Sequence, residues 1–203
     1  VGAGTLRLGG TNAQTGTISI NEGTVRLAGA DRLGAAAALT IRQDGILELN
    51  GVTPATSTNA FNNNGIVRNS SATTDVTFTV GGSNGTGDSR GIIEDGGVGK
   101  VTVVKIGTGG QNWLGLSTYT GSTTIGSTGI VSINNLQNGG VASVIGASSN
   151  AAGNLIFNGT SATVFHAYDK SLNADGLTHA RSGADPSGHG VRVAFEDLSS
   201  GGD

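Results

Sequence analysis

The sequence predicts an all-β chain wound as a right-handed parallel β-helix, a β-solenoid, and three observations lead there. Apolar residues alternate with polar ones in short runs, and Gly, Asn-Gly or Asp-Gly bounds nearly every run. A strand–turn–strand unit also recurs along the chain. Period-two alternation places Leu6 and Leu8 on one face of a strand and Thr5 and Arg7 on the other.

The strands are expected in this order. Thr5–Leu8 reads TLRL; 17–20 (TISI) and 24–27 (TVRL) flank a turn at Glu22-Gly23. The alanines from Ala35 to Ala38 hold one helical turn at most. Residues 46–49 (ILEL) and 65–69 (GIVRN) repeat the pattern, and 75–80 (DVTFTV) extends it. Further strands are 101–106, Thr123–Ile125, 130–133, 154–157 and 191–195. No stretch of about 12 residues carries a 3.6-residue period.

Self-similarity separates a solenoid from a sandwich. Residues 15–27 (TGTISINEGTVRL) align with 120–133 (TGSTTIGSTGIVSI), setting Ile20 on Ile125, Val25 on Val131 and Leu27 on Ile133. Units that each carry one apolar face bury it by stacking. With about 20–25 residues per coil, near the short end of known repeat periods, the chain forms roughly eight to ten coils. At about 4.8 Å per rung the rod is on the order of 40 Å long. Its ends are open sheet edges that a neighbour can occupy.

Composition excludes several classes. Gly, Thr, Ser and Asn number 37, 24, 19 and 17 of 203 residues, yet two prolines and no strict triplet rule out collagen. The 11 Lys+Arg against 14 Asp+Glu give no basic excess for nucleic acid. No apolar run reaches the roughly 18 residues of a membrane helix. Without Cys there are no disulfides, thiolate metal sites or thiol nucleophiles. An apolar fraction of 35% is too high for disorder.

The segments GTLRLGGTNAQTGTISINEGTVRL (4–27) and GTGGQNWLGLSTYTGSTTIGSTGIVSI (107–133) resemble the passenger-associated transport repeat of bacterial autotransporters. Tyr119-Thr120-Gly121 matches its middle block, where the first copy has Gln14 in place of Tyr. The stretch from Thr79 to Gly82 with Gly91 to Gly96 resembles the segment before that repeat, and Val144 to Asn150 the one after it. The resemblance covers about 1–160 and implies export to the cell surface or beyond. It is specific for the solenoid rather than for an activity. Two regions are expected: a β-helix over 1–165, and a loop-rich capping or inter-subunit segment over 166–203. The chain opens in mid-repeat without Met, the expectation for a processed product or a piece of a larger protein.

Candidate chemistry is sparse. His166, His179 and His189, with Asp169, Asp175 and Asp185, supply metal-ligand types but not the i, i+2 or i, i+4 spacing that places two ligands on one face. Gly85-Thr86-Gly87-Asp88 is one imperfect copy of a calcium nonapeptide. A polysaccharide-cleaving β-helix needs carboxylates gathered in one groove; the candidates are Asp44 with Glu48, Glu94 with Asp95, and Glu196 with Asp197. Glu94 and Asp95 would face opposite ways on a strand. Trp113 and Tyr119 form either a stacking platform or core, and alignment of Trp113 with Leu8 favours core. Thr77, Thr79, Thr123 and Thr124 do not spell the regular ladder of an ice-binding face.

The sequence thus assigns no catalytic, cofactor-binding or metal-binding residue and no cofactor. It points to a non-enzymatic structural or adhesive solenoid of an exported bacterial surface protein: a stalk, an adhesin segment or a head-to-tail fibre subunit. The alternative is a β-helix carbohydrate-active enzyme. Expected partners are a homopolymer formed by end-to-end stacking, with 166–203 bridging subunits, or a cell-surface or glycan ligand. Recognition loops are placed at 52–64 and 82–90.

Overall fold

The computed structural model describes residues 2–34, 38–126, 130–158, 165–167 and 193–194. It is a parallel β-solenoid of about six turns. The eight to ten coils expected were counted over all 203 residues, whereas most residues after 158 lie outside those described.

Three walls build the rod. The first consists of the opening half of β2 (Thr17–Leu27), the opening half of β3 (Ala38–Glu48), β4 (Ala60–Asn63), β7 (Gly87–Ser89), β10 (Gln111–Trp113) and β12 (Val131–Ile133). The backbone of β14 (Phe165–Ala167) and β15 (Val193–Ala194) continues that wall in parallel. The second wall stacks β1 (Thr5–Leu8), the closing halves of β2 and β3, β5 (Ile66–Arg68) and β8 (Ile92–Glu94). The third stacks β6 (Val76–Val80), β9 (Val101–Lys105), β11 (Thr123–Ile125) and β13 (Leu155–Phe157). Both long strands turn the corner between the first two walls at paired glycines, Gly23 beside Gly45.

Parallel register turns alternation into columns. Val25, Leu47, Val67 and Ile93 stack inward on the second wall, each buried. On the third wall Phe78 stacks on Val103, which lies beside Thr123. Phe61 of the first wall meets Phe78 edge-on across the interior, ring centroids 5.2 Å apart. Polar side chains also point inward. The column Ile20, Ile41, Asn63, Ser89, Trp113, Ile133 alternates bulk with small or amide groups, and Gln111 Nε2 donates to the Phe61 carbonyl at 2.9 Å.

The recurrent unit is present but turned by one wall. Residues 17–20 and 24–27 occupy the first and second walls, whereas Thr123–Ile125 and Val131–Ile133 occupy the third and first. The alignment of Ile20 with Ile125 therefore does not superpose coils. All three walls ask the same of a strand, an inward apolar residue at every second position, so one unit fits any of them. For the same reason Trp113 is not the counterpart of Leu8: Trp113 lies beside Ser89 and Ile133 on the first wall, Leu8 beside Leu27 on the second. The second wall ends differently from the others. Ser143 bridges Ser117 in antiparallel sense, and the Ser143–Gly146 turn buries Val144 and Ile145.

Candidate functional site

Most carboxylates with a place in the fold hold coils together. Glu48 is almost fully buried and accepts the Asn50 and Ser70 amides at 2.8 and 2.9 Å, the Ser70 hydroxyl, and an ion pair from Arg68 at 3.3 Å. Arg68 also reaches Glu94 at 3.9 Å. Register lines up Arg7, Arg26, Glu48, Arg68 and Glu94 down the outside of the second wall. Asp95 accepts the Val101 amide at 2.7 Å and both the amide and hydroxyl of Thr120, at 2.8 and 2.6 Å, one coil on. Among the described residues, Glu48, Glu94 and Asp95 of the candidate acid pairs are engaged within the fold. Asp44 lies across the Gly45 corner from the occupied Glu48, with Glu22 beside it in register, and Glu196 with Asp197 lie outside the described residues.

The corner between the first and second walls carries the open site. A β-bulge sets it: Ile20 pairs with Ile41 and Glu22 with Asp44, so two residues of β3, Arg42 and Gln43, stand opposite Asn21 alone. The next turn is shorter, passing from Asn63 to Ile66 through Asn64 and Gly65. The protruding turn and its shorter neighbour leave an open cleft of about 520 Å³ lined by Asn21, Arg42, Gln43, Asp44 and Asn64. Glycine is required beneath it. A Cβ on Gly65 would fall 2.2 Å from the Gly45 carbonyl oxygen, and one on Gly91 would fall 2.1 Å from that of Gly65. Beside the glycines runs an outward aliphatic row of Ile46, Ile66 and Ile92. Alternation did not reveal this cleft, because it arises from a bulge that only register exposes.

The remaining candidates are accounted for by packing. Trp113 is buried, so it offers no stacking platform; neither does Tyr119, whose hydroxyl is 2.7 Å from Thr123 Oγ1 and whose burial pushes the phenol upward. Asp88 of the glycine-rich turn accepts from Asn112 Nδ2 at 2.6 Å and lies 3.7 Å from Arg90. Among the described residues no three His, Cys, Asp or Glu come together as a metal site. His166 lies on β14 without a described side chain; His179, His189, Asp169, Asp175 and Asp185 lie outside the described residues. The expected loop 52–64 is partly core, with β4 burying Phe61 and Asn63, and 82–90 contains β7. Its amides hid the strand, since Asn63 points inward where alternation leads one to expect an aliphatic. On the third wall Thr77 lies beside Thr102, but Val104 separates Thr79 from Thr124. Lys105 is buried in that wall, its ammonium donating to the Ile106 and Gly107 carbonyls at 2.7 and 3.0 Å. Desolvation lowers its pKa.

A curated protein, the Adhesin BmaC autotransporter of Brucella suis biovar 1 (strain 1330), is 62% identical to this chain over 42 residues. This chain resembles an autotransporter passenger. The match takes in 21% of the chain and 1% of the relative, so the chain spans a very small part of that adhesin. No protein-family profile and no solved structure matches. A wound parallel sheet and an adhesin-like segment together support a surface structural or adhesive β-helix. No helix among the described residues is long and apolar enough to cross a membrane.

Proposed function

We propose that the chain is a non-enzymatic length of rod in an exported bacterial surface protein, holding adhesive surface away from the cell. The observation that carries this is the use of its charges: Glu48, Glu94 and Asp95 fasten one coil to the next instead of converging on a substrate. The adhesin-like segment supports export and the adhesive role.

Display of the chain on a non-adherent bacterium tests the reading. Saturable attachment to host cells, with no turnover of polysaccharide, is expected. Release of sugar from polysaccharide would overturn it in favour of the enzyme. Electron microscopy over a concentration series tests the stalk directly: dispersed short rods are expected, and filaments would replace the stalk with a head-to-tail fibre.

A further inference from the structure

We infer that the corner cleft between the first and second walls is a binding site for a neutral oligosaccharide; this rests on the adhesive reading above and gives it a ligand class. The argument starts from hydrogen-bonding groups left over by the fold. Several polar side chains on the coils are engaged by their neighbours: Glu48 with Ser70, Asp95 with Thr120, Asn69 with Gly51 and Thr74, Asn112 with Asp88. The five that line the cleft are gathered in one place with their polar ends free. Asn21, Arg42, Gln43, Asp44 and Asn64 are all exposed, and none has a side-chain hydrogen bond or ion pair. Arg42 and Asp44 are two residues apart with opposite charge, yet they do not pair.

Each of the five ends in a planar amide, carboxylate or guanidinium. Such groups meet two adjacent atoms at once, which suits neighbouring hydroxyls of a sugar. Together they present three amides with both donors and acceptors, a guanidinium with donors only, and a carboxylate with acceptors only. A hydroxyl needs that mixture because it donates and accepts together. The lining's one positive and one negative charge cancel, and Glu22, exposed and beside Asp44 in register, adds negative charge at the same corner; this disfavours a sulfated or uronic polymer and favours an uncharged one. Ile46 and Ile66, outward on the adjoining wall, offer an aliphatic rim to the C–H face of a ring. The bulge that pushes Arg42 and Gln43 outward costs the sheet a regular pair, the kind of local irregularity associated with binding sites.

Isothermal titration of the 203-residue chain with cellohexaose and mannohexaose, and with a heparin hexasaccharide as the charged counterpart, tests this. Saturable binding of at least one neutral hexasaccharide is expected, weakened at least tenfold by Asp44→Asn combined with Arg42→Gln and Asn64→Ala. All three positions are exposed, so the variant should keep the wild-type circular dichroism and melting. Gly16→Ala, remote from the cleft, should bind as wild type. Binding of heparin alone, of no hexasaccharide, or of neutral sugar undiminished by the triple change overturns the site. The adhesive reading is judged separately by the displayed chain. Attachment that survives the triple change leaves adhesion standing without this cleft; sugar binding in solution without attachment leaves the cleft standing without adhesion.

Discussion

Adding one methyl group at Gly91 should cut the rod near its middle. The Cβ of Gly91→Ala would lie 2.1 Å from the Gly65 carbonyl oxygen and 2.7 Å from Asn64 C, both backbone atoms that cannot rotate away. Ordinary contact for such a pair begins near ~3.5 Å, so the corner must part by roughly 1 Å. The bonds crossing that corner are Gly91 N–H to Asn63 O at 2.8 Å and Ile92 N–H to Gly65 O at 2.9 Å. Losing both costs about 2 kcal/mol, and forced displacement of packed backbone about 1–3 kcal/mol more. Alanine returns about 0.4–1 kcal/mol by restricting the unfolded chain. The net loss is about 2–5 kcal/mol, and the melting temperature should fall by about 2–4 °C for each of these. Urea unfolding followed by circular dichroism measures it. Gly16→Ala is the control, because nothing lies within 4 Å of its would-be Cβ. If Gly91→Ala unfolds within about 1 kcal/mol of wild type, the close stacking of corner glycines is not what holds the two walls together.

Two further outcomes test the coil-to-coil contacts. Asp95→Ala removes three acceptor contacts and should cost about 2–3 kcal/mol at this partly exposed position; Asp95→Asn keeps the Val101 bond and should cost about half. Hydrogen exchange at Val101 and Thr120 checks both, and unchanged protection of Thr120 in the alanine variant would sink the role. For Lys105 the sign follows from a folded pKa below the ordinary 10.5, set by desolvation. The unfolded chain then binds more protons between the two values, so stability rises with pH through that window. Lys105→Met should abolish the rise and be neutral or stabilising at pH 7. Melting should be compared below pH 10, since above it the raised phenol of Tyr119 acts with the opposite sign. An equal pH slope in the methionine variant would refute the assignment.

The wound parallel sheet was legible because most inward positions are aliphatic and alternation reports them: 5–8 and 24–27 fall on strands, and 46–49, 75–80 and 101–106 overrun theirs by one residue each. β4, β7 and β10 were not legible. Their inward positions include Asn63, Ser89 and Gln111, polar groups that a reading by hydropathy assigns to loops. Burial of Gln111 becomes sensible only once the Phe61 carbonyl is known to be its acceptor, 50 residues earlier in the chain. The core role of Trp113 was the favoured expectation, although Leu8 was the wrong equivalent. The candidate site was hidden for a different reason. Arg42, Gln43, Asp44 and Asn64 read as ordinary turn residues until register shows that one turn carries two residues more than its neighbour.

The direction of the ladders bears on how the rod would carry load. Strands run across the rod and their hydrogen bonds run along it, so tension applied end to end meets those bonds one rung at a time. Such a body peels turn by turn at modest force, each turn lengthening the tether by its own contour instead of snapping as a block. The antiparallel bridge of Ser143 to Ser117 interrupts that sequence on the second wall. Peeling that reaches it must dislodge a turn that also buries Val144 and Ile145, so the rod contains its own brake at that coil.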